Sequence, residues 1–383
     1  MSVTAPGGFR AAGVNAGLAA SGRLDLAVVL NDGPRSAAAG VFTSNRVQAH
    51  PVRWSRQALG DGVARAVVAS SGGANCATGP AGFAITHATA EVAAEVLGIG
   101  AGDVQVCSTG LIGVLDDRDR LLAGTRKALA AASVDGGAVA ADAIRTTDSV
   151  AKQVVVHGDG FSVGGMAKGA GMLAPALATM LVFLTTDADV DAQTCDDALR
   201  AATGTTFDRL DSDGCQSTND TVLLMASGAS GTVPAAAEFA AAVHAACADL
   251  AGQLLADAEG SEHDIALRVV NAATEDDAVD AARSVARSNL FKAAIFGGDP
   301  NWGRVLASVG TSSAAFDPLD LDVALNGTYV CRSSAPGDNA ASVDLSGRAV
   351  EVLIDLKAGN AEAIVWTNDL THRYVHENSA YST

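Results

Sequence analysis

Thr179 sits where a glycine-containing run, Lys168-Gly169-Ala170-Gly171-Met172-Leu173-Ala174-Pro175-Ala176-Leu177-Ala178, meets the apolar stretch Met180-Leu181-Val182-Phe183-Leu184. A threonine hydroxyl stays protonated at neutral pH and attacks a carbonyl only when an adjacent base takes its proton. Cutting the chain between Ala178 and Thr179 would create that base. Attack of the hydroxyl on the Ala178 carbonyl, then hydrolysis of the ester, would free an α-amine with a pKa of roughly 7.7 to 8.0 beside it. Thr179 is therefore a candidate buried nucleophile of the N-terminal-threonine type. The same residues also suit an ordinary strand, since threonine is common in strands and 180–186 reads as one. The run by itself leaves both readings open.

An acyl-enzyme needs donors aimed at the developing oxyanion, and the Thr109-Gly110 turn is suited to supply them. It also reads simply as a turn after a strand. Lys168, between Gly164-Gly165 and Gly169-Ala170-Gly171, which read as flexible segments, can meet a substrate carboxylate or stand as a solvated loop lysine. Its spacing lacks the Gly-Lys-Ser/Thr ending of a phosphate loop. Thr146-Thr147-Asp148 closes a helical pattern, where capping is the ordinary role. Glu259 ends a long Ala-rich helix and would be exposed there. The seven histidines form no metal-ligand spacing, and no Gly-x-Ser-x-Gly elbow occurs. No metal site is expected.

Strand patterns run over 25–31, 64–70, 153–157, 180–186 and 221–227, and helical patterns over 84–97, 117–132, 192–202 and 234–258. Few of these strands alternate polar with apolar, which predicts sheets covered on both faces in a layered α/β (α+β) fold. After Gly260 the texture changes: a strand over 265–271, a helix over 275–289, and a tight hairpin at Leu325-Asn326-Gly327-Thr328. These predict a core domain over 1–260 and a smaller α+β domain over 261–383.

The chain has 383 residues, of which 49% are hydrophobic and only 4% aromatic, so Ala, Val, Leu and Gly fill its interior. That composition argues against base-stacking platforms. With 25 Lys and Arg against 43 Asp and Glu, the net charge of −18 repels a phosphate backbone, so no nucleic-acid partner is expected. The same acidity also serves plain solubility. Six cysteines, none in a CxxC pair, read as free and mostly buried thiols. The opening lacks a basic region before an apolar core, and 172–184 is too short to span a bilayer, so a cytoplasmic, non-membrane protein is expected.

Several separated motifs then combine: the run ending in Ala178-Thr179, Cys107-Ser108-Thr109-Gly110-Leu111-Ile112-Gly113, Ser217-Thr218-Asn219-Asp220, Asp299-Pro300-Asn301-Trp302-Gly303-Arg304 and the tail Glu377-Asn378-Ser379-Ala380-Tyr381-Ser382-Thr383. Together they resemble the ornithine acetyltransferase family, also called glutamate N-acetyltransferase, over nearly the whole chain. The resemblance implies a four-layer α-β-β-α sandwich like that of the DmpA aminopeptidases. It implies self-cleavage into fragments 1–178 and 179–383, associated as α2β2. It further implies acetyl transfer from N2-acetyl-L-ornithine to L-glutamate through Thr179, with Thr109 and Gly110 stabilising the oxyanion and Thr147, Lys168, Thr179, Glu259, Asn378 and Thr383 binding substrate. No cofactor is implied; acetyl-CoA is an optional co-substrate. An amidohydrolase or aminopeptidase of the same fold, which passes the acyl group to water, is the alternative, and a non-catalytic binding protein is a further one. The 299–304 loop is open between a structural role and lining the site.

Overall fold

A computed structural model describes residues 2–172 and 180–380. The strands expected near 25–31 and 64–70 form as β2 (Leu26–Asn31) and β4 (Ala66–Ser70). With β1 (Phe9–Val14) and β5 (Val104–Ser108) they make one sheet, in the order β1-β2-β4-β5. A second sheet has the order β3-β9-β8-β7-β6, from β3 (Ala37–Phe42), β6 (Lys152–His157), β7 (Ser162–Lys168), β8 (Leu181–Thr186) and β9 (Thr221–Ala226). β1, β3 and β7 carry no strand signal in the sequence reading, because alanine and glycine dominate them.

The strands are apolar on both faces because both faces are covered. Along β8, Leu181 and Phe183 point into the layer between the sheets, where they meet Phe9, Val29, Val67 and Met166. Val182 and Leu184 point the other way, into a core with Leu199, Phe239, Val243 and Leu250. That second core is roofed by α5 (Ala192–Thr205) and α6 (Ala236–Ala256). The outer face of the first sheet is covered by α2 (Gly79–Leu97) and α3 (Arg118–Ala131), with α1 (His50–Ala58) against β5, while α4 (Gly137–Ala143) packs on β1 and β2 with Ala140, Ala141 and Ala143 in the core between the sheets. The result is the expected α-β-β-α stack. Each aliphatic or Phe side chain buried in it contributes about 1.5–3 kcal/mol relative to exposure. Local signals start the helices: the Asp117 side chain accepts the Arg120 N–H at 2.9 Å, and that of Asp191 accepts the Thr194 N–H at 2.8 Å.

Two sequence expectations change here. Gly164 and Gly165 lie inside β7, paired to Val155 and Val154, and are not flexible segments. They serve close packing, since a Cβ on Gly164 would collide with the Ser2 carbonyl and one on Gly165 would sit 2.8 Å from Leu184. The helix expected over 275–289 is two helices, α7 (Glu275–Ala286) and α8 (Asn289–Phe296), broken where the Ser288 hydroxyl caps the second by accepting the Phe291 N–H at 3.3 Å.

A third, six-stranded sheet has the order β13-β12-β11-β14-β10-β15. Its strands are β10 (Asp264–Ala272), β11 (Asp322–Leu325), β12 (Thr328–Arg332), β13 (Ala335–Pro336), β14 (Ala349–Asp355) and β15 (Ala361–Asn368). It packs on α7, α8 and α9 (Trp302–Val309) around Leu267, Val285, Val309 and Val352. The expected hairpin joins β11 to β12: Leu325 pairs with Thr328, and Asn326 and Gly327 have φ of 45° and 82°, the left-handed pair that a tight two-residue turn requires. After β15 the chain returns to the sandwich as α10 (His372–Ala380), whose Tyr374 backbone presses on Gly260 so closely that a Cβ there would collide with the Tyr374 nitrogen.

Candidate active site

A cavity of about 330 Å³ opens at the ends of the sandwich strands. Thr109 and Gly110 leave the end of β5, and Lys168 is the last residue of β7. Ser217, Thr218 and Asn219 lead into β9, Thr147 follows α4, Glu259 follows α6, and Asn378 comes from α10. The structure thus brings together Thr109, Gly110, Thr147, Lys168, Glu259 and Asn378 from five separate segments. Ala178, Thr179 and Thr383 lie outside the described residues. Of the residues flanking that stretch, Met172 lines the cavity, while Met180 gives its N–H to Asp220 Oδ1 at 3.1 Å and accepts the Thr221 N–H at 3.2 Å. Asp220 is fully buried, and burial pushes its carboxyl well above the ordinary carboxylate range.

The oxyanion corner is held from below. The Thr109 N–H is taken by the Ser70 carbonyl at 3.0 Å, which leaves the threonine hydroxyl for the cavity. Asn219 Nδ2 donates to the Ala74 carbonyl at 2.7 Å and to the Ser108 carbonyl at 2.8 Å, stapling the end of β5 to the 72–75 loop. Gly110 has φ of 132°, and a Cβ on it would lie 2.9 Å from the Gly72 carbonyl oxygen, so only glycine fits this turn. The turn after a strand is thus tightly packed in the structure, which is what fixed donors to a transient oxyanion require.

Lys168 is 2% exposed, so it is no solvated loop lysine. Its Nζ lies 3.4 Å from Thr109 Oγ1, donating to that oxygen and leaving the hydroxyl proton to point elsewhere. Beneath it lies a charge cluster that sequence reasoning missed. Asp148 Oδ1 accepts from Lys152 Nζ at 2.7 Å and from the Gly169 N–H at 2.6 Å, and its Oδ2 accepts the Thr146 N–H at 3.0 Å. Lys152 also donates to Asp257 Oδ2 at 2.6 Å, and Asp257 takes the Ser149 N–H at 3.0 Å. Asp148 reads as a turn former in sequence, and its turn stands apart from α4, which ends at Ala143. The available signal was the pair of lysines at the ends of largely apolar strands, Lys152 opening β6 and Lys168 closing β7.

Burial pushes the Asp148 carboxyl up, but Lys168, Lys152 and the Gly169 N–H outweigh it and hold the group at about 2 against an ordinary 3.8. A carboxylate with a depressed folded pKa stabilises the fold above its unfolded pKa, and that stability is lost as pH falls through the folded one. The contribution is on the order of 2 kcal/mol. We expect stability, read as the urea midpoint, to fall more steeply from pH 4 to pH 2 in wild type than in Asp148→Asn. Equal slopes would show that this carboxylate is not held low.

Glu259 is half-buried, not exposed, and its carboxylate passes against the backbone of Gly171, where a Cβ would lie 2.6 Å from Oε2. Its own N–H donates to the Ala170 carbonyl at 2.8 Å. Asn378 is exposed, with its Nδ2 on the Tyr374 carbonyl at 3.1 Å, which among the described residues leaves Oδ1 for a ligand. The 299–304 segment does not line this cavity among the described residues; Trp302 opens α9 and packs on the core of the third sheet. Five cysteines are buried and Cys215 is exposed, all free.

The site therefore offers a hydroxyl and a glycine turn beside one buried cation, with a carboxylate and an amide at the rim. The sequence pattern of the ArgJ family matches residues 10–383. This chain belongs to the ArgJ family. It is 62% identical, over the full length of both chains, to the arginine biosynthesis bifunctional protein ArgJ of Streptomyces avermitilis, and 60% identical over the full length of both to that of Thermobifida fusca. A crystal structure of ornithine acetyltransferase complexed with ornithine from Mycobacterium tuberculosis is 56% identical to it, covering 47% of this chain and 96% of that one with a TM-score of 0.45. Every cavity residue named above falls inside the stretch that the ArgJ family pattern covers.

Proposed function

We propose that this chain is a self-cleaving acetyltransferase of arginine biosynthesis, moving the acetyl group of N2-acetyl-L-ornithine to L-glutamate through an ester on Thr179. The observation that carries the reading is the meeting of Thr109, Gly110, Thr147, Lys168, Glu259 and Asn378 in one cavity of an ArgJ-family chain. In the processing step Thr179 Oγ attacks the Ala178 carbonyl, the peptide nitrogen leaves as the new α-amine, and water hydrolyses the ester. That amine then takes the Oγ proton as Oγ attacks the acetyl carbonyl of the donor. The tetrahedral oxyanion is met by the Thr109 hydroxyl and the Gly110 N–H, and the proton passes to the departing α-nitrogen of ornithine. The α-amine of glutamate attacks the acetyl ester in the second half, returning Thr179 to its free form. Lys168 takes a substrate carboxylate, Glu259 the distal ammonium of ornithine, and Thr147, Asn378 and Thr383 complete the binding set. Apart from the two substrates and the water that hydrolyses the processing ester, the scheme draws its reacting groups from the chain and uses no cofactor.

Cleavage would leave the two fragments interleaved. In the second sheet β3, β6 and β7 precede the cut, whereas β8 and β9 follow it, and β8 pairs with β7 while β9 pairs with β3. Separation would break two strand ladders and open two apolar cores, so the fragments stay together, as an α2β2 assembly in our reading. We assign the protein to the cytoplasm, a reducing setting that suits its free cysteines.

The deciding experiment is an assay of purified protein with N2-acetylornithine, with and without glutamate, alongside intact mass. Acetyl mass on the 179–383 fragment that glutamate removes as N-acetylglutamate supports the scheme. Release of acetate at the same rate without glutamate would instead mark the amidohydrolase alternative. Replacing the donor by acetyl-CoA tests the second activity.

A further inference from the structure

Asp148 sits between two lysines and can serve only one of them well. Lys152 Nζ is 2.7 Å from its Oδ1, whereas Lys168 Nζ is 3.9 Å from its Oδ2. The Gly169 and Thr146 N–H groups occupy the carboxylate as well, one on each oxygen. Lys152 is itself wholly buried and is shared with Asp257, so it is fixed from two sides. Lys168, the outer lysine, is left against Thr109 Oγ1. We propose that Lys152 is a positioning residue that saturates Asp148 and so keeps the Lys168 ammonium turned toward Thr109 and the ligand carboxylate. The proposal rests on the reading of this cavity as the acetyl-transfer site.

The physical reason is competition for one counter-charge. A buried carboxylate without a cation is costly, and Lys168, whose Nζ at 3.9 Å is in ion-pair range of Asp148 but beyond hydrogen-bonding distance, is the cation placed to replace Lys152 there, with Arg23 acting on Asp148 as a further charge. Without Lys152, a rotation of the Lys168 side chain would close that gap and withdraw its ammonium from the cavity. Burial pushes the Lys168 ammonium down most; Asp148, Glu259 and Asp220 raise it and Lys152 lowers it, so removing Lys152 also removes a like charge that opposes its protonation.

Steady-state kinetics of four purified proteins test this: wild type, Lys152→Met, Asp148→Asn and the charge-balanced double variant carrying both changes. Lys152→Met should raise the KM for N2-acetylornithine by roughly tenfold or more, the loss of one charge-assisted hydrogen bond. Its alkaline limb of kcat/KM should move to higher pH, because Lys168 holds its proton longer. The double variant cannot capture Lys168, since the amide that replaces the carboxylate is similar in shape but bears no charge; its KM should return to within about threefold of wild type. A folded double variant as impaired as Lys152→Met, or a Lys152→Met enzyme with wild-type KM and pH limb, would overturn the proposal. If Lys152→Met does not fold, Asp148→Asn decides, because losing that anion should move the alkaline limb to lower pH, and an unmoved limb sinks the idea. A wild type that transfers no acetyl group from N2-acetylornithine refutes the function itself; an active wild type with unresponsive variants refutes only the positioning.

Discussion

Thr179→Ala is expected to remain a single uncut chain and to lose acetyl transfer by at least about 10⁴-fold, the scale seen when a covalent nucleophile is removed. The loss is doubled in kind. The substitution removes the hydroxyl that attacks, and without the cut it also withholds the α-amine that serves as base. Folding should survive, because β8 begins only at Leu181 and Met180 is pinned independently by Asp220 and Thr221. Thr179→Ser keeps a hydroxyl and should still be cleaved. Intact mass, a thermal midpoint and the transfer assay read all three consequences. A cut, active Thr179→Ala protein would remove the threonine mechanism altogether.

The second large effect is at Thr109. Removing one oxyanion donor by Thr109→Ala should lower kcat about 10²–10³-fold while the KM for either substrate changes little, since that donor acts on charge present only in the transition state. Stability should change by less than ~1 kcal/mol, because among the described residues the hydroxyl makes a single long contact, to Lys168, and the backbone is held separately by Ser70. Thr109→Ser should restore most of the rate, with any shortfall reporting the looser rotamer of serine. The same variants should slow self-cleavage as well, which mass spectrometry over time would detect. A kcat for Thr109→Ala within about threefold of wild type would assign the oxyanion to other donors.

The residues named from the sequence came from short motifs, and such motifs mark positions without saying what stands behind them. Asp148 and Lys152 are a case in point. Asp148 looks like a turn residue and Lys152 like the start of a strand, yet they form a buried ion pair with Asp257 contributed from the far end of α6. Asn219 sits inside a recognised motif, but its task of joining the Ser108 and Ala74 carbonyls depends on two loops that are remote in sequence. Gly164 and Gly165 misled in the opposite direction, because glycine permits both mobility and close approach, and only the neighbours at Ser2 and Leu184 select the second.

The chain's own pattern determined which segments are doubly apolar strands, where Asp117 and Asp191 start helices and where Asn326-Gly327 turns, because these follow from interactions within a few residues. Its motifs likewise picked out Thr109, Gly110 and Lys168 as chemistry-bearing positions. Only the tertiary structure decided that, among the described residues, α10 lines the cavity and the 299–304 loop does not. It also decided that two lysines compete for one carboxylate. These outcomes depend on distances between segments far apart in the chain and on the strength of charges taken out of water, and neither quantity is encoded in any single stretch of residues.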